Sequence, residues 1–324
     1  MGIQTPLILN QVTGRIEELS AGDTLSGLLV EGYAGRNVLI NGDFDVWQRG
    51  TSFTVSNVYS ADRWFIQQGG VSGQSVVQHV PLPGESNFPD SVFTLNVNIT
   101  GNSSATGAFQ TFEQRVEDCR TFANKVSTLS FKVFNAGAAG RKIAVEFAQI
   151  FGAGGSPAIL GIAPEVFSLA AGMNYIVKTV TLPSVAGKTA NLGHAAVVII
   201  WSTAGSDFNS RTGGLGLQTG GLYFSKMKWE AGSVATPFVR RDPGVELLLC
   251  YRYGEPVGFI ANADGPYYST YYYKVPKRVV PTLTVLGNSI SPATLNPRGS
   301  TTWFSMDGRA PSAVASYCFA DAEI

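Results

Sequence analysis

From residue 36 to about residue 230 the chain is a succession of short apolar segments separated by turn clusters, a spacing that suits a packed pair of sheets and little else. The segments are residues 63–67, 75–80, 91–97, 108–114, 127–134, 142–150, 174–182, 195–201 and 222–229. Ile143, Val145 and Phe147 alternate with Lys142, Ala144 and Glu146. That pattern predicts one buried and one solvated face. Residues 195–201 are apolar throughout and suit the middle of a packed sheet. The charge-bearing residues 113–120 fit either a helical turn or a polar corner. About ten strands without intervening helices predict an all-β fold, a jelly-roll β-sandwich over residues 36–241.

Composition supports this and removes several function classes. The chain has 37 Gly, 16 Pro and 14% charged residues, against a usual charged share of about 25%. Lys plus Arg and Asp plus Glu both number 23, so no basic field exists to hold a nucleic acid. Cys119, Cys250 and Cys318 are an odd, widely spaced set that reads as buried thiols rather than as disulfides or a metal knuckle. The N-terminal region carries no basic stretch before an apolar core, and Leu7, Ile8 and Leu9 are too few to span a bilayer. The expectation is a protein made in the cytosol of its host cell, without membrane insertion.

The texture changes after Trp229. Gly232 and Pro237 take the chain out of the sheet. Asp242 then offers an N-cap and Pro243 a first helical residue, with Leu247, Leu248, Cys250 and Tyr251 at helical spacing. Residues 242–254 are therefore a short helical connector. Beyond it, residues 257–260, 267–275, 282–286, 301–306 and 313–320 predict a smaller C-terminal β domain over 255–324, small enough that subunits are expected to share it. Residues 1–35 fit an arm that docks on a partner or a flexible leader, the arm being favoured. Residues 37–50 predict a strand, a turn at Asn41-Gly42 and a second segment with Phe44, Val46 and Trp47.

No nucleophile elbow, zinc-protease helix or phosphate loop is present, and His79 and His194 read as structural. Asp43, Asp45, Asp62 and Glu230 could supply an acid and base pair or, the better functional option, a calcium site at Asp43 and Asp45; the structural alternative, which is favoured, has Asp43 capping the Asn41-Gly42 turn and Asp62 paired with Arg63 or Arg49. No other cofactor is implied. Glycans stack on aromatic rings. Trp64, Trp201 and Trp229 stand in apolar strands and read as core. The glycan-contact candidates are Trp47, Trp303 and the tyrosine run, in which alternation sets Tyr267, Tyr271 and Tyr273 on one face, with a subunit interface as the competing use.

Several stretches, taken together and in order, resemble a family of bacteriophage tail-fibre-like virion proteins. They are Asn37-Val-Leu-Ile-Asn-Gly-Asp-Phe-Asp-Val-Trp-Gln-Arg-Gly50, Tyr59-Ser-Ala-Asp-Arg-Trp64, Glu230-Ala-Gly-Ser-Val-Ala-Thr-Pro-Phe238, Glu246-Leu-Leu-Leu-Cys-Tyr-Arg-Tyr253 and Tyr317-Cys-Phe-Ala-Asp-Ala-Glu-Ile324. The resemblance implies a carbohydrate-binding-module-like jelly roll in a homotrimeric fibre or appendage. Its N-terminal residues 1–35 would attach to other virion proteins, and its β domains would be exposed on the particle surface to meet host surface glycans. The expectation is a non-enzymatic structural protein. A purely structural or capsid-decorating role and a polysaccharide-degrading virion enzyme are the alternatives.

Overall fold

The structure, a computed structural model, describes residues 7–9, 16–18, 37–261, 266–288, 296–309 and 314–324 of the chain. The expected arm over residues 1–35 lies outside the described residues, apart from a ladder of Leu7–Leu9 against Ile16–Glu18. The sandwich strands are β1 (Ser52–Phe53), β2 (Val58–Tyr59), β3 (Phe65–Gly69), β4 (Ser75–His79), β5 (Thr94–Ile99) and β6 (Phe109–Glu117). β7 (Val126–Asn135), β8 (Lys142–Phe151), β9 (Ile159–Ser168), β10 (Gly172–Thr181), β11 (His194–Ala204) and β12 (Gly220–Ala231) follow. They form two antiparallel six-stranded sheets, ordered β9-β8-β11-β6-β3-β2 and β10-β7-β12-β5-β4-β1. The chain passes repeatedly from one sheet to the other, which makes the sandwich a jelly roll.

The core lies between the sheets. Ile66, Phe112, Val145, Phe147, Val198 and Ile200 of the first sheet meet Leu95, Leu129, Phe131, Val133, Phe224 and Trp229 of the second. Phe112 and Phe224 close the gap edge to face at 4.7 Å, and Phe147 packs 5.2 Å from Trp229. Each such side chain contributes roughly 1.5–3 kcal/mol by leaving water. Trp64, Trp201 and Trp229 are all buried, as their apolar surroundings predict.

Three sequence expectations change. Ala144 and Glu146, placed on a solvated face by alternation, are fully buried. The reason is that the outer face of the first sheet is itself covered: Ala144, Ala148, Val197, Ile199 and Trp201 form a second apolar layer under Phe208, Leu215 and Ile324. Phe208 and Leu215 belong to a short excursion after β11 that includes the helical turn α1 (Asn209–Thr212). Residues 113–117 continue β6 rather than turning into a helix, because their neighbour β11 supplies a ladder partner as far as Glu117↔Ala195. β9 was not expected at all; its Pro164 is accommodated because β9 is an edge strand.

The opening segment is not a hairpin. Residues 37–50 contain no strand; they lie beside β12, with Val38 N–H donating to Trp229 O (2.9 Å) and Met227 N–H to Gly42 O (2.7 Å). Asn41 and Phe44 adopt φ of 57° and 58°, which breaks any ladder. Side chains supply the missing partners instead. Asn37 bonds Met227 O and accepts from Leu39 and Trp229 N–H, while Asn41 bonds Val46 O and Asp62 O and accepts from Val46 N–H.

Helix α2 (Pro243–Tyr251) begins as predicted, with Asp242 accepting from the N–H groups of Gly244 and Val245. Its buried face is Glu246 and Cys250, whereas Leu248 is exposed. Glu246 reaches the N–H of Asn41 at 2.5 Å and so ties helix to opening segment. Six further strands follow: β13 (Gly254–Ala261), β14 (Pro266–Tyr272), β15 (Thr282–Asn288), β16 (Asn296–Gly299), β17 (Trp303–Arg309) and β18 (Val314–Asp321). They make two three-stranded antiparallel sheets, β13-β18-β15 and β14-β17-β16. β16, with Pro297, is the edge strand that the sequence reading did not include.

Charged groups join this module to the sandwich. Buried Arg63 ion-pairs with Glu323, and its guanidinium lies 3.4 Å from the ring centre of Tyr253. Arg49 bridges Asp62 (3.2 Å) and Glu323 (3.3 Å) and covers the Phe319 ring. Of the two partners foreseen for Asp62, Arg49 is the one present.

Candidate functional site

The outer face of the second sheet carries an open cleft of about 660 Å³, lined by Asp90, Ser130, Lys132, Tyr175, Lys226, Pro237, Phe238 and Arg240. The floor comes from adjacent strands. On β7, Leu129, Phe131 and Val133 point into the core, so Ser130 and Lys132 point out. On β10, Ile176 and Val180 point inward and Tyr175 outward, where it is 57% exposed. On β12 a bulge interrupts the register between Ser130↔Lys228 and Lys132↔Ser225. The extra residue lets Met227 stay in the core while Lys226, at φ 56°, reaches the cleft.

The opening segment fixes this bulge. A Cβ on Gly42 would lie 2.2 Å from Met227 O, so only glycine allows the two backbones to meet. Asp43 then faces Lys226, taking its ammonium at 2.8 Å and its backbone N–H at 3.2 Å, with Ser91 Oγ donating to the same carboxylate. Burial raises the pKa of Asp43, and the Lys226 charge opposes that rise. Arg240 grips Asp45 with both Nε (2.8 Å) and Nη2 (2.7 Å).

The second wall is the 232–238 loop, and the Glu230–Phe238 motif explains how it is held. Buried Glu230 accepts from Thr236 N–H (2.8 Å) and Oγ1 (2.6 Å). Lys228, paired with Glu230 at 3.3 Å, donates to Pro237 O at 3.0 Å. This clamp brings Phe238 to the cleft, with the Lys226 ammonium 5.4 Å from its ring centre. The cleft thus offers two rings, Tyr175 and Phe238, beside cations whose positions are set by buried Asp43 and half-buried Asp45. Rings of this kind take the apolar face of a sugar, and Lys132, Asp90 and Ser130 can bond hydroxyls.

The sequence-derived residues lie elsewhere. Trp47 is half-buried, donates its indole N–H to Phe44 O at 2.6 Å and stacks on Phe53. Tyr273 is 8% exposed and packs on Phe304 with half-buried Tyr271, so both contribute to the core of the C-terminal module. Tyr267 stands in β14 opposite Gly308, and its side chain lies outside the described residues. Trp303, 37% exposed, is directly opposite Tyr272, which is 73% exposed; together they form a surface aromatic pair. Asp43 and Asp45, the candidate calcium ligands, are brought to one region, but each is neutralised by a cation, Lys226 and Arg240. Asp43 faces Lys226 and Ser91, not the turn it was expected to cap.

Tyr175, Lys132 and Phe238 were not singled out from sequence. The signal available was the exposed alternation of Met173, Tyr175 and Val177 on an edge strand, and Phe238 at the end of a quoted motif. A separate group, Asp118, Cys119 and His194, has ligand-type atoms within 4.8 Å of one another. His194 Nδ1 there accepts from Cys119 N–H at 3.1 Å, and Asp118 already holds Arg120 at 2.9 Å. His79 packs edge to face on Tyr223. The three cysteines are free and buried.

No protein-family model matches the chain, and no curated protein matches it by sequence. Among solved structures, the enzymatically active domain of Bacteriophage CBA120 tailspike protein 4 aligns at 14% identity and TM-score 0.37, covering 60% of this chain and 21% of that one. A CBM4 structure aligns at 21% identity and TM-score 0.37, covering 59% of this chain and 98% of its own. The family 11 carbohydrate-binding module from Clostridium thermocellum, in complex with a β-1,3-1,4-mixed-linked tetrasaccharide, aligns at 11% identity and TM-score 0.33, covering 57% and 98%.

Proposed function

We propose that this chain is a glycan-binding protein that holds a saccharide, without cleaving it, in the cleft of the second sheet. The observation that carries the reading is the pairing of Tyr175 and Phe238 with Lys226 and Arg240, the cations being held in place by Asp43 and Asp45. Rings supply a stacking surface and fixed charges supply direction, the combination a sugar requires. Glycoside hydrolysis by the usual route needs two carboxylates flanking the bond; of the cleft-lining residues Asp90 alone carries one, and this supports binding over turnover. The test is a glycan array on the purified full chain, with product analysis of any bound polysaccharide. Binding with intact product is expected, and it should weaken when Tyr175 or Phe238 becomes alanine. Shortened product would contradict the reading.

The motif resemblance over residues 37–324 extends the proposal: the chain is a fibre or appendage protein of a bacteriophage particle, homotrimeric, and its glycan belongs to the host surface. A trimeric mass in solution is expected. A monomer at micromolar concentration would remove this extension while leaving the glycan cleft untouched.

A further inference from the structure

Arg141 precedes β8 at one end of the sandwich, where the 136–141 loop meets the residues leading into β12. Its surroundings hold it firmly. Nη1 donates to Thr219 O at 2.6 Å, and the neighbouring Lys142 exchanges backbone bonds with the Gln218 side chain at 2.6 and 2.9 Å. Gly220, at φ 104°, lies beneath the guanidinium, and a Cβ there would sit 2.4 Å from Nη1. The group is seated by design of the backbone.

The other edge of that guanidinium is unsatisfied. Nε and Nη2 are shielded from solvent and bond nothing. This is the edge with which Arg240 holds Asp45 (2.8 and 2.7 Å) and Arg252 holds Glu117 (3.0 and 2.8 Å). The Nε/Nη2 fork thus holds a carboxylate at two other arginines of this chain, and at Arg141 the same two donors have no partner among the described residues. Burial alone pulls the Arg141 pKa down to about 10, with no charged neighbour to offset it. Beside the guanidinium lies a cavity of about 450 Å³, lined among others by Asn135, Gly137, Gln218 and Gly221.

We propose that this end cavity binds the carboxylate group of a ligand, the acid of a uronic sugar included, in a bidentate grip by Arg141. A planar carboxylate matches the fork in the way Asp45 and Glu117 do elsewhere in the chain. Because the two donors are shielded, a carboxylate reaches them only with a local shift of the side chains at this end of the sandwich. The site is separate from the sheet cleft and does not depend on its occupancy.

Calorimetric titration of the full chain with sodium glucuronate, glucose and sodium sulfate tests the proposal. Glucuronate should bind and glucose should not, a comparison that needs no variant. Arg141→Lys, which keeps the charge but loses the fork, should weaken glucuronate binding about tenfold or more. Absence of glucuronate binding to the wild type overturns the assignment, as does equal binding of glucose. Sulfate bound as tightly as glucuronate would mean an adventitious ion only. Undiminished glucuronate binding in a folded Arg141→Lys variant would place the carboxylate elsewhere.

Discussion

On the first sheet, Ala144, Ala148, Val197, Ile199 and Trp201 point outward and lie sealed beneath Phe208, Leu215 and Ile324. On the second, Ser130, Lys132, Tyr175 and Lys226 point outward and line an open cleft. Both sheets have the same number of strands and share one core, so strand count does not set the difference. The residues at the outward positions do. Apolar side chains on one face gain from any cover, and the chain supplies it; the buried carboxylates there, Glu146 and Glu113, are tolerated because Arg211 and Arg115 pair with them. Polar side chains on the other face gain nothing from cover, and the two loops beside them are held at the margins by their own ion pairs.

The largest effect expected of this contrast is on the sealed face. Trp201→Ala should cost about 3–5 kcal/mol, seen as a large fall in chemical-denaturation midpoint, since Trp201 packs on Phe109 and Phe208 and carries Arg211 over its ring. A loss under about 1 kcal/mol would mean the cover is loose and the two faces are less different than described. Next comes the joint between opening segment and bulge. Gly42→Ala should destabilise by roughly 1–3 kcal/mol, because its Cβ meets Met227 O, and should weaken glycan binding as Lys226 shifts with the bulge. Retained binding in the destabilised variant would separate the bulge from the cleft.

Much of this architecture is legible in the sequence. The alternation of Ile143, Val145 and Phe147 announces the inward face of its strand, and the unbroken apolar run of residues 195–201 announces a strand in the middle of a packed sheet. What alternation alone does not convey is the fate of an outward face. Glu146 reads as solvated because nothing near it in sequence indicates that residues 206–215 fold back over it. The edge strands with proline, Pro164 in β9 and Pro297 in β16, are not among the segments the sequence predicts as strands, yet they pair because the missing donor matters only when a neighbour lies on that side. At the cleft, two motifs that stand out in the sequence, Asn41-Gly42-Asp43 and Glu230–Phe238, act as supports, whereas Tyr175, the exposed ring, stands in a strand whose neighbours look ordinary. The tyrosine run drew attention by density, yet Tyr271 and Tyr273 pack inward on Phe304, leaving Tyr272 beside Trp303 at the surface.

A further effect is expected from pH in the C-terminal module. Buried Lys277 pairs with Glu255 at 3.3 Å, donates to Tyr251 O and lies over the Tyr273 ring; burial pulls its pKa down to about 8, and Lys274 is the nearby like charge. Its value in the unfolded chain is about 10.4. Between those values the unfolded state binds more protons than the folded one, so this group makes stability rise with pH from about 8 to 10.4, by at most about 1.4 kcal/mol per unit. Denaturation midpoints measured across that range should show the rise, and Lys277→Met should flatten it. A wild-type curve that falls monotonically, with the variant parallel to it, would show that Lys277 does not titrate in this window.

The open face of the second sheet is the proposed binding face. The most direct measurement is the affinity of wild type and Tyr175→Ala for a glycan recovered from the array, with thermal stability recorded on both. Tyr175 is exposed, so its removal should leave stability within about 0.5 kcal/mol while lowering affinity about tenfold, ~1.4 kcal/mol. Unchanged affinity in a variant of unchanged stability would contradict the account and move the binding surface away from the second sheet.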